Sequence, residues 1–309
     1  MSSTVAWSDS SPHKVQFVTV APGVSLEVLD WGGSGPPLVF LSGLQDVAHG
    51  FDDFAPRFTD HYHVLAITRR GYGASSKPAE GYDVATRVAD DRAVFDSLRL
   101  DRVMLVGHSI AGDELSGFAA AYPKRVTKLV YFDAAYDHST AGELMGVYPA
   151  PPPMTAVDSA SPAGVQDYMH RVAGMRIPVA QLRAIARYDS TGHLVSDVTP
   201  PRIDSLMLAL CGHPNYRAVH TPALVIYAIP DSAVQMFPQY PTMAPAQQEA
   251  ARRFTTIIQA WGERGRNVVR REFKGIEVLE LHGANHYVFD SNPNEVTAAM
   301  RGFLGEQKR

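Results

Sequence analysis

The segment 106–112, Val-Gly-His-Ser-Ile-Ala-Gly, gives the clearest indication of how this chain folds. It follows a short apolar run, Val103–Val106, and precedes an alanine-rich segment, so its serine is predicted to lie on a sharp turn between a strand and a helix. Such a turn strains the serine backbone and exposes the hydroxyl. It also needs small residues two positions before and after the serine, where strand and helix approach closely, and Gly107 and Ala111 supply them. Ser109 is therefore predicted to be a nucleophile.

Eight short runs rich in valine, leucine and isoleucine are predicted to be strands. Most of them show little polar alternation, which favours parallel strands covered on both faces. The first two alternate more, which favours an antiparallel edge. The runs are Val15–Val20, Leu26–Trp31, Leu38–Leu41, His63–Thr68, Val103–Val106, Lys128–Phe132, Ala223–Tyr227 and Ile276–Leu281.

Helical patterns lie between these strands. One helix is predicted before Val103, and another begins near Pro245 and carries an apolar stripe that ends at Trp261. Asn292 is predicted to cap the last helix, with Pro293 at its first position. Alternating strands and helices predict an α/β sheet with helices on both faces.

The alternation stops between Ala135 and His220. This stretch contains no clear strand pattern, carries the proline-rich segment 149–153, and then shows helical pieces. It is predicted to be a mostly helical lid of residues 135–220, inserted into a core of residues 1–134 and 221–309.

Two motifs carry a resemblance to a known family. The turn around Ser109, together with Arg70-Gly71-Tyr72-Gly73-Ala74-Ser75, resembles the α/β-hydrolase superfamily, and in particular its bacterial esterase-like members with a Gly-His-Ser turn. The resemblance covers Val24 to Ala135 and Pro222 to Leu304. It implies a mostly parallel eight-stranded sheet, and a catalytic triad in the chain order serine, acid, histidine.

A serine hydroxyl needs a base to become a useful nucleophile at neutral pH. The resemblance places that base in the loop after the last core strand, where this chain has Leu281-His282-Gly283-Ala284-Asn285-His286. His286 matches the catalytic position. His282 lies nearer the strand and is expected to pack or to form a hydrogen bond.

The third member of the triad must be a carboxylate that orients the imidazole. Asp231 ends the strand after the predicted lid, where the family commonly has its acid, and is the first choice. The alternative is Asp133, at the end of the preceding strand, a position that some relatives use. Asp137 is a third, weaker candidate.

Acyl transfer also needs donors for the developing oxyanion. The backbone amide of Ile110 is one candidate, and the resemblance implies the amide of Leu44 as the second. Gln45 is expected either to add a polar contact or to border the entrance. Residues expected to line the substrate pocket, in addition to Gln45, are Tyr148, Met154 and Phe237.

Bulk properties exclude some classes of partner. The net charge of −4 and the isoelectric point near 6.3 show no basic excess that would favour nucleic acid or an anionic membrane. No apolar stretch of about 18 residues is present, and the first residues do not resemble a secretory signal. A single cysteine fits a reducing compartment, so a cytoplasmic protein is expected.

The predicted function is hydrolysis of a small to medium carboxylic ester through an acyl-enzyme on Ser109, with no metal or organic cofactor. The same triad also serves lactone hydrolysis and carbon–carbon bond hydrolysis. A third possibility is a ligand-binding member of the fold that does not turn over, and a substrate panel separates these alternatives.

Overall fold

The computed structural model describes residues 9–305. Residues 1–8 and 306–309 of the predicted core lie outside the described residues, and so does part of the N-terminal segment that was not expected to be a secretory signal. Eight strands form one sheet in the order β1-β2-β4-β3-β5-β6-β9-β10. They are β1 (Lys14–Ala21), β2 (Val24–Gly32), β3 (Pro37–Leu41), β4 (His63–Thr68), β5 (Val103–His108), β6 (Val126–Phe132), β9 (Ala223–Ile229) and β10 (Ile276–His282).

The sheet is mostly parallel, as the sequence predicts. Only the β1–β2 and β2–β4 pairs are antiparallel, and the remaining pairs, from β4 through β3, β5, β6 and β9 to β10, are parallel. The carboxyl ends of the parallel strands therefore lie along one edge, where loops from neighbouring strands meet. The predicted eight-stranded α/β-hydrolase sheet with an antiparallel edge is confirmed.

Helices cover both faces of the sheet. One apolar core contains Phe95 of α1, Phe118 of α2 and Phe254 of α8, and the other contains Val296 and Met300 of α10. The helix bounds are α1 (Val84–Ser97), α2 (Ala111–Ala121), α7 (Ala233–Met236), α8 (Pro245–Glu272), α9 (Val288–Ser291) and α10 (Pro293–Leu304). As predicted, Pro293 is the first residue of the last helix and Asn292 is its N-cap residue, although no side-chain cap hydrogen bond forms there.

The chain between β6 and β9 forms an insertion with one small apolar cluster of its own, and Ile203 and Met207 of the insertion pack in a second cluster with core residues. It contains α3 (Gly142–Met145), α4 (Pro162–Ala173), α5 (Val179–Ile185), β7 (Ala186–Tyr188), β8 (Leu194–Asp197) and α6 (Pro201–Ala209). The expectation that this stretch lacks strands is wrong, because β7 and β8 pair as a two-stranded antiparallel sheet. Both strands are short, with three and four residues, and β8 is largely exposed, so they have little of the apolar patterning that predicts strands.

Within 9–305, no helix combines the length and the apolar character needed to cross a bilayer.

Candidate active site

Ser109 lies on the turn between β5 and α2, in the left-handed region with φ of +54°. Its backbone amide donates a hydrogen bond to the carbonyl of Phe132 at the end of β6, over 3.1 Å, which fixes the turn against the neighbouring strand. A side chain at Gly107 would put its Cβ 2.6 Å from Leu115 on α2. Strand and helix thus approach as closely as the sequence predicts, and the turn presents the serine at the carboxyl edge of the sheet.

His286 lies in the loop after β10 and bonds to Asp133. Its Nδ1 is 2.6 Å from Oδ2 of Asp133. The other carboxylate oxygen, Oδ1, accepts hydrogen bonds from the hydroxyl of Tyr136 over 2.7 Å and from the amide of Ala228 over 3.2 Å. Asp133 is therefore held on both oxygens, and its side chain is only 10% exposed.

The backbone of Asp133 explains this orientation. Asp133 directly follows β6, has φ of +46°, and donates its amide hydrogen to the carbonyl of Ile226 on β9 over 2.7 Å. A non-glycine residue in the left-handed region is uncommon and costs energy unless its surroundings fix it. The turn directs the carboxylate back over the sheet edge rather than out to solvent.

Asp231, the acid that the sequence favoured, contacts His282 and not His286. It is two residues beyond the end of β9, and its Oδ1 is 3.2 Å from Nδ1 of His282, not from His286. Both partners are exposed, at 52% for Asp231 and 66% for His282. The assignment of Asp231 as the partner of His286 is therefore corrected to the alternative acid, Asp133. Asp137, the third candidate, bonds to Ser139 and His213 instead.

His108 directly precedes Ser109 in the chain, and its ring contacts the loop that carries His286. Its Nε2 is 3.2 Å from the carbonyl oxygen of His286, and the two ring centroids are 4.6 Å apart. Burial lowers the pKa of His108 below its ordinary value, against the opposing effect of Asp46, so its ring is neutral at neutral pH and its Nε2–H can donate to that carbonyl.

Asp46 belongs to the same buried network, and sequence reasoning did not identify it. Its carboxylate accepts hydrogen bonds from the Tyr287 hydroxyl, over 3.0 and 3.1 Å, and from the side-chain amide of Gln181 over 2.6 Å. Tyr287 follows His286 directly, so this network supports the loop that carries the histidine. Nothing in the sequence spacing indicates these contacts, because they join three distant segments.

The pKa of His286 is raised above its ordinary value of 6.5. Exclusion of water by the surrounding protein would lower it, but the hydrogen bond and charge of Asp133 outweigh that effect, and the carboxylate of Asp46 adds to the increase. The ring itself is half exposed, at 47%, so incoming molecules can reach it. With Nδ1 bound to Asp133, Nε2 is the nitrogen available to a hydroxyl.

The two candidate oxyanion donors are the amides of Ile110 and Leu44. Within residues 9–305, neither amide forms a hydrogen bond with another part of the chain, and both residues line the same cavity as Ser109. The segment before Leu44 is held by Arg69, whose guanidinium donates to the carbonyls of Ser42 and Gly43 over 2.8 and 3.1 Å. Both amides therefore remain candidate donors for an oxyanion.

Arg69 also binds α2, and it thereby connects the segment before Leu44 to the helix that follows Ile110. Its Nε and Nη2 donate to the two oxygens of Glu114 over 2.7 and 2.8 Å, and Arg87 donates to the same carboxylate over 3.0 Å. Glu114, in the first turn of α2, is thus buried and paired with two arginines. Asp113 likewise bonds to Nδ1 of His138 over 2.8 Å.

Ser109, Asp133 and His286 open onto one cavity of about 380 Å³, within the roughly 300–1,000 Å³ usual for small-molecule sites. Its lining is largely apolar and comes from the insertion, from the segment after β9 and from α8. The apolar and aromatic lining includes Leu144, Met145, Tyr148, Met175, Met236, Phe237, Phe254, Ile258 and Trp261.

Two of the four residues expected to line the pocket do so. Tyr148 and Phe237 face the cavity with ring centroids 5.9 Å apart. Met154 lies on the surface, 37% exposed, in the segment that follows the proline-rich stretch. Gln45 bonds through Nε2 to Asp204 of α6 over 2.7 Å, so its side chain ties the Leu44 loop to the insertion.

A family model described as the alpha/beta hydrolase family matches residues 38–300. The chain belongs to this family. The match runs from the second residue of β3 through β10 and contains every residue of the candidate triad.

Curated relatives align over part of their length. A non-heme chloroperoxidase from Streptomyces lividans is 38% identical over 120 residues, which is 38% of this chain and 44% of that protein. A 2-(acetamidomethylene)succinate hydrolase from Mesorhizobium japonicum is 32% identical over 101 residues, 33% of this chain and 36% of that protein. The chain thus spans less than half the length of the curated relatives it matches.

A solved structure shares the fold over nearly the whole chain. The crystal structure of an E-2-(acetamidomethylene)succinate hydrolase superposes with a TM-score of 0.66 at 20% identity, covering 94% of this chain and 99% of that one. At that identity the likeness shows the fold alone.

Proposed function

We propose that this protein hydrolyses small to medium carboxylic esters, with Ser109 as nucleophile, His286 as general base and Asp133 as the acid that orients the histidine. The observation that carries the proposal is the 2.6 Å contact between Nδ1 of His286 and the buried carboxylate of Asp133, at a cavity that Ser109 also lines. This contact fixes one imidazole tautomer, and it stabilises the imidazolium that forms when the histidine takes a proton.

In the acylation step, Nε2 of His286 takes the hydroxyl proton of Ser109 while the serine oxygen bonds to the ester carbonyl carbon. The carbonyl oxygen becomes an oxyanion, which the amides of Ile110 and Leu44 stabilise. When the tetrahedral intermediate collapses, the bond to the alcohol oxygen breaks, and His286 gives its proton to the leaving alcohol. Ser109 then carries the acyl group.

In the deacylation step, water replaces the alcohol. His286 takes one proton of the water as its oxygen attacks the acyl carbon, and the same two amides stabilise the second oxyanion. Collapse breaks the bond to the serine oxygen, which recovers its proton from His286. The products are one carboxylic acid and one alcohol, and the side chains return to their starting state.

The cavity lining supports an uncharged, apolar acyl group. Phe237, Phe254 and Ile258 offer no charge or hydrogen-bonding group to a substrate. Beside these three side chains a charged group would lose its hydration, at a cost of several kcal/mol, whereas an alkyl or aryl chain gains by burial. Arg266 also lines the cavity, so its charge lies at another part of the lining than these three residues. The cavity volume of about 380 Å³ suits small to medium acyl groups.

The first experiment is turnover of p-nitrophenyl acetate, butyrate and octanoate by the wild type, Ser109→Ala and Ser196→Ala. Ser196 is exposed on β8 and serves as the matched control. We expect wild-type turnover that is strongest for the shorter acyl chains, a decrease of about 10³-fold or more in Ser109→Ala, and no change in Ser196→Ala. Turnover that survives in Ser109→Ala would overturn the proposal.

Labelling with a fluorophosphonate separates the nucleophile from the substrate class. We expect mass spectrometry to find the phosphonyl group on Ser109 in the wild type, with much slower labelling in His286→Gln. Labelling without ester turnover would keep the nucleophile and reject the ester assignment, and the panel would then extend to lactones and carbon–carbon substrates. Absence of both labelling and turnover in a folded protein would favour a ligand-binding role.

A further inference from the structure

Two histidines and two aspartates form a cluster that the proposed hydrolysis does not use. Asp9 and His13 lie just before β1, while His49 and Asp52 lie in and after the short 3-10 helix Ala48–Phe51. These four residues form the His/Asp cluster. Two segments separated by about 35 residues in the chain thus bring four donor groups to one point.

The donor atoms are close enough to share one ion. One donor atom from each of the four residues lies within 4.8 Å of all the others. Nδ1 of His49 is 2.9 Å from Asp52 and 3.4 Å from Asp9. Nδ1 of His13 is 3.2 Å from Oδ1 of Asp52, and Nε2 of the same ring is 3.5 Å from Oδ2 of Asp9.

The contacts of His49 are close to the ligand spacing of a coordination tetrahedron. Zinc binds histidine nitrogen at about 2.0–2.1 Å and carboxylate oxygen at about 2.0–2.2 Å, which places neighbouring ligand atoms about 3.3–3.5 Å apart. The two contacts of His49 Nδ1, 2.9 Å to Asp52 and 3.4 Å to Asp9, fall near that value, and one donor atom of His13 lies within 4.8 Å of the other three.

Two polar atoms in the cluster lack a hydrogen bond. Among residues 9–305, Oδ2 of Asp9 and Nδ1 of His13 are buried from solvent and have no hydrogen-bond partner with acceptable geometry. The side chain of His13 is only 3% exposed, and it faces Asp52 within 3.2 Å. A buried polar atom without a partner is costly, and a coordinated ion would satisfy both atoms at once.

The surroundings resemble those of a closed structural site. Trp31 packs edge-on against the His13 ring at 5.6 Å, and the His13 and His49 rings are 5.0 Å apart. Oδ1 of Asp52 also accepts a hydrogen bond from the hydroxyl of Ser11 over 3.0 Å, which orients that carboxylate. Four protein donors leave no open position for a substrate, as in structural rather than catalytic zinc sites.

We propose that the His/Asp cluster binds one divalent zinc ion, which ties the segment before β1 to the 3-10 helix that follows the Leu44 loop. Two imidazoles and two carboxylates suit zinc in a tetrahedral arrangement. Since an ion that binds only the folded chain stabilises it, zinc raises the melting temperature. The sequence signals are an Asp-x₃-His pair at residues 9–13 and a His-x₂-Asp pair at 49–52, which sequence analysis did not single out.

The test titrates ZnCl₂ into chelator-treated full-length protein, with calorimetry for stoichiometry and thermal unfolding for stability. We expect one zinc per chain and a higher melting temperature. Changes to groups that merely support a metal ligand weaken binding by about 10–100-fold, so loss of a ligand in Asp9→Asn or His13→Gln is expected to weaken zinc binding by roughly 100-fold or more.

Two controls separate this site from other histidines. His63→Gln removes a histidine that contacts a single carboxylate, Asp30, over 3.0 Å, and it is expected to keep zinc binding unchanged. His286→Gln removes the histidine of the candidate active site and is also expected to keep the single zinc. Zinc binding lost in His286→Gln but kept in Asp9→Asn would overturn the proposal, as would a wild type that binds no zinc.

A spectroscopic measurement distinguishes loss of the metal site from misfolding of a variant. Cobalt in a tetrahedral site absorbs visible light more strongly than octahedral cobalt, so we expect the cobalt-loaded wild type to give intense bands that zinc abolishes. Asp9 lies at the margin of the cluster, 25% exposed, so Asp9→Asn should keep its circular dichroism spectrum while losing these bands. Unchanged cobalt bands in that variant would reject the site.

Discussion

Two aspartate–histidine pairs lie at the carboxyl ends of neighbouring strands, and they differ in almost every physical respect. Asp133 and His286 meet over 2.6 Å, and the carboxylate is buried and held by two further donors. Asp231 and His282 meet over 3.2 Å, and both side chains are largely exposed. A short contact to a buried, fixed carboxylate can hold an imidazole in one tautomer, whereas an exposed pair contributes little and is screened by salt.

The difference arises from the backbone and from strand order. β6 lies between β5, which carries Ser109, and β9, so the residue that follows β6 is next to the nucleophile turn. Asp231 follows Pro230 beyond β9, and its carboxylate projects outward to His282. Position in the chain after a strand favoured Asp231 and kept Asp133 as the alternative, whereas the left-handed turn at Asp133 brings its carboxylate to His286.

The largest expected effect is that of Asp133→Asn. An asparagine amide would offer Nδ1 of His286 a donor in place of an acceptor and so favour the wrong imidazole tautomer. We expect kcat/KM for p-nitrophenyl butyrate to fall by about 10³–10⁴-fold, with the protein still folded. A loss smaller than that of Asp231→Asn, measured side by side, would reverse the comparison.

The pH profile tests the same pair. Because the pKa of His286 is raised above 6.5, the fraction of neutral histidine, and with it kcat/KM, falls as the pH drops through that pKa, by about tenfold per pH unit below it. The effect of this histidine on stability has the opposite sign: its contribution is fully present below pH 6.5 and is lost as the pH rises through the raised pKa. Rates and unfolding measured from pH 5 to 9 check both directions.

The paired variants sharpen this result. Removing the carboxylate charge in Asp133→Asn is expected to move the inflection of the remaining activity to lower pH, since Asp133 is the main group that raises the pKa of His286. Asp231→Asn is expected to leave the inflection where it is. A shift of the inflection in Asp231→Asn alone would show that the exposed pair controls the base.

A smaller effect is expected from Tyr136→Phe. The Tyr136 hydroxyl donates to Oδ1 of Asp133, and a hydrogen bond to a charged group contributes about 1.5–3 kcal/mol to stability. The ring stays packed against Trp261, so the change removes the donor and little else. We expect kcat to fall several-fold and the free energy of unfolding to fall by about 1–3 kcal/mol, as measured by urea denaturation. An unchanged kcat would mean that the amide of Ala228 is enough to orient the carboxylate.

The smallest effect is expected from Asp231→Asn. Exposed ion pairs contribute about 0–1 kcal/mol, so we expect less than about a twofold change in kcat/KM and a similarly small change in unfolding free energy. His282→Gln should behave in the same way. A loss of more than about tenfold in either variant would return Asp231 to the catalytic site.

The sequence predicted much of the fold because its signals are local. All eight strand predictions match strands of the sheet, since short apolar runs between turn residues need no knowledge of distant contacts. The two-stranded sheet of the insertion was missed, because its strands are exposed and lack that pattern. The division into a core and a lid at residues 135–220 stays a prediction, although the insertion between β6 and β9 contributes to the cavity lining.

For the candidate site, the sequence by itself predicted the position of Ser109, because the serine turn needs small residues at fixed offsets. The family resemblance added His286, in the loop after the last core strand. The contact between His286 and Asp133, the pairing of Arg69 with Glu114, and the approach of Asp9 and His13 to His49 and Asp52 were decided only by the tertiary structure. Each joins segments far apart in the chain, and side-chain direction there depends on backbone angles and strand neighbours that residue order does not contain.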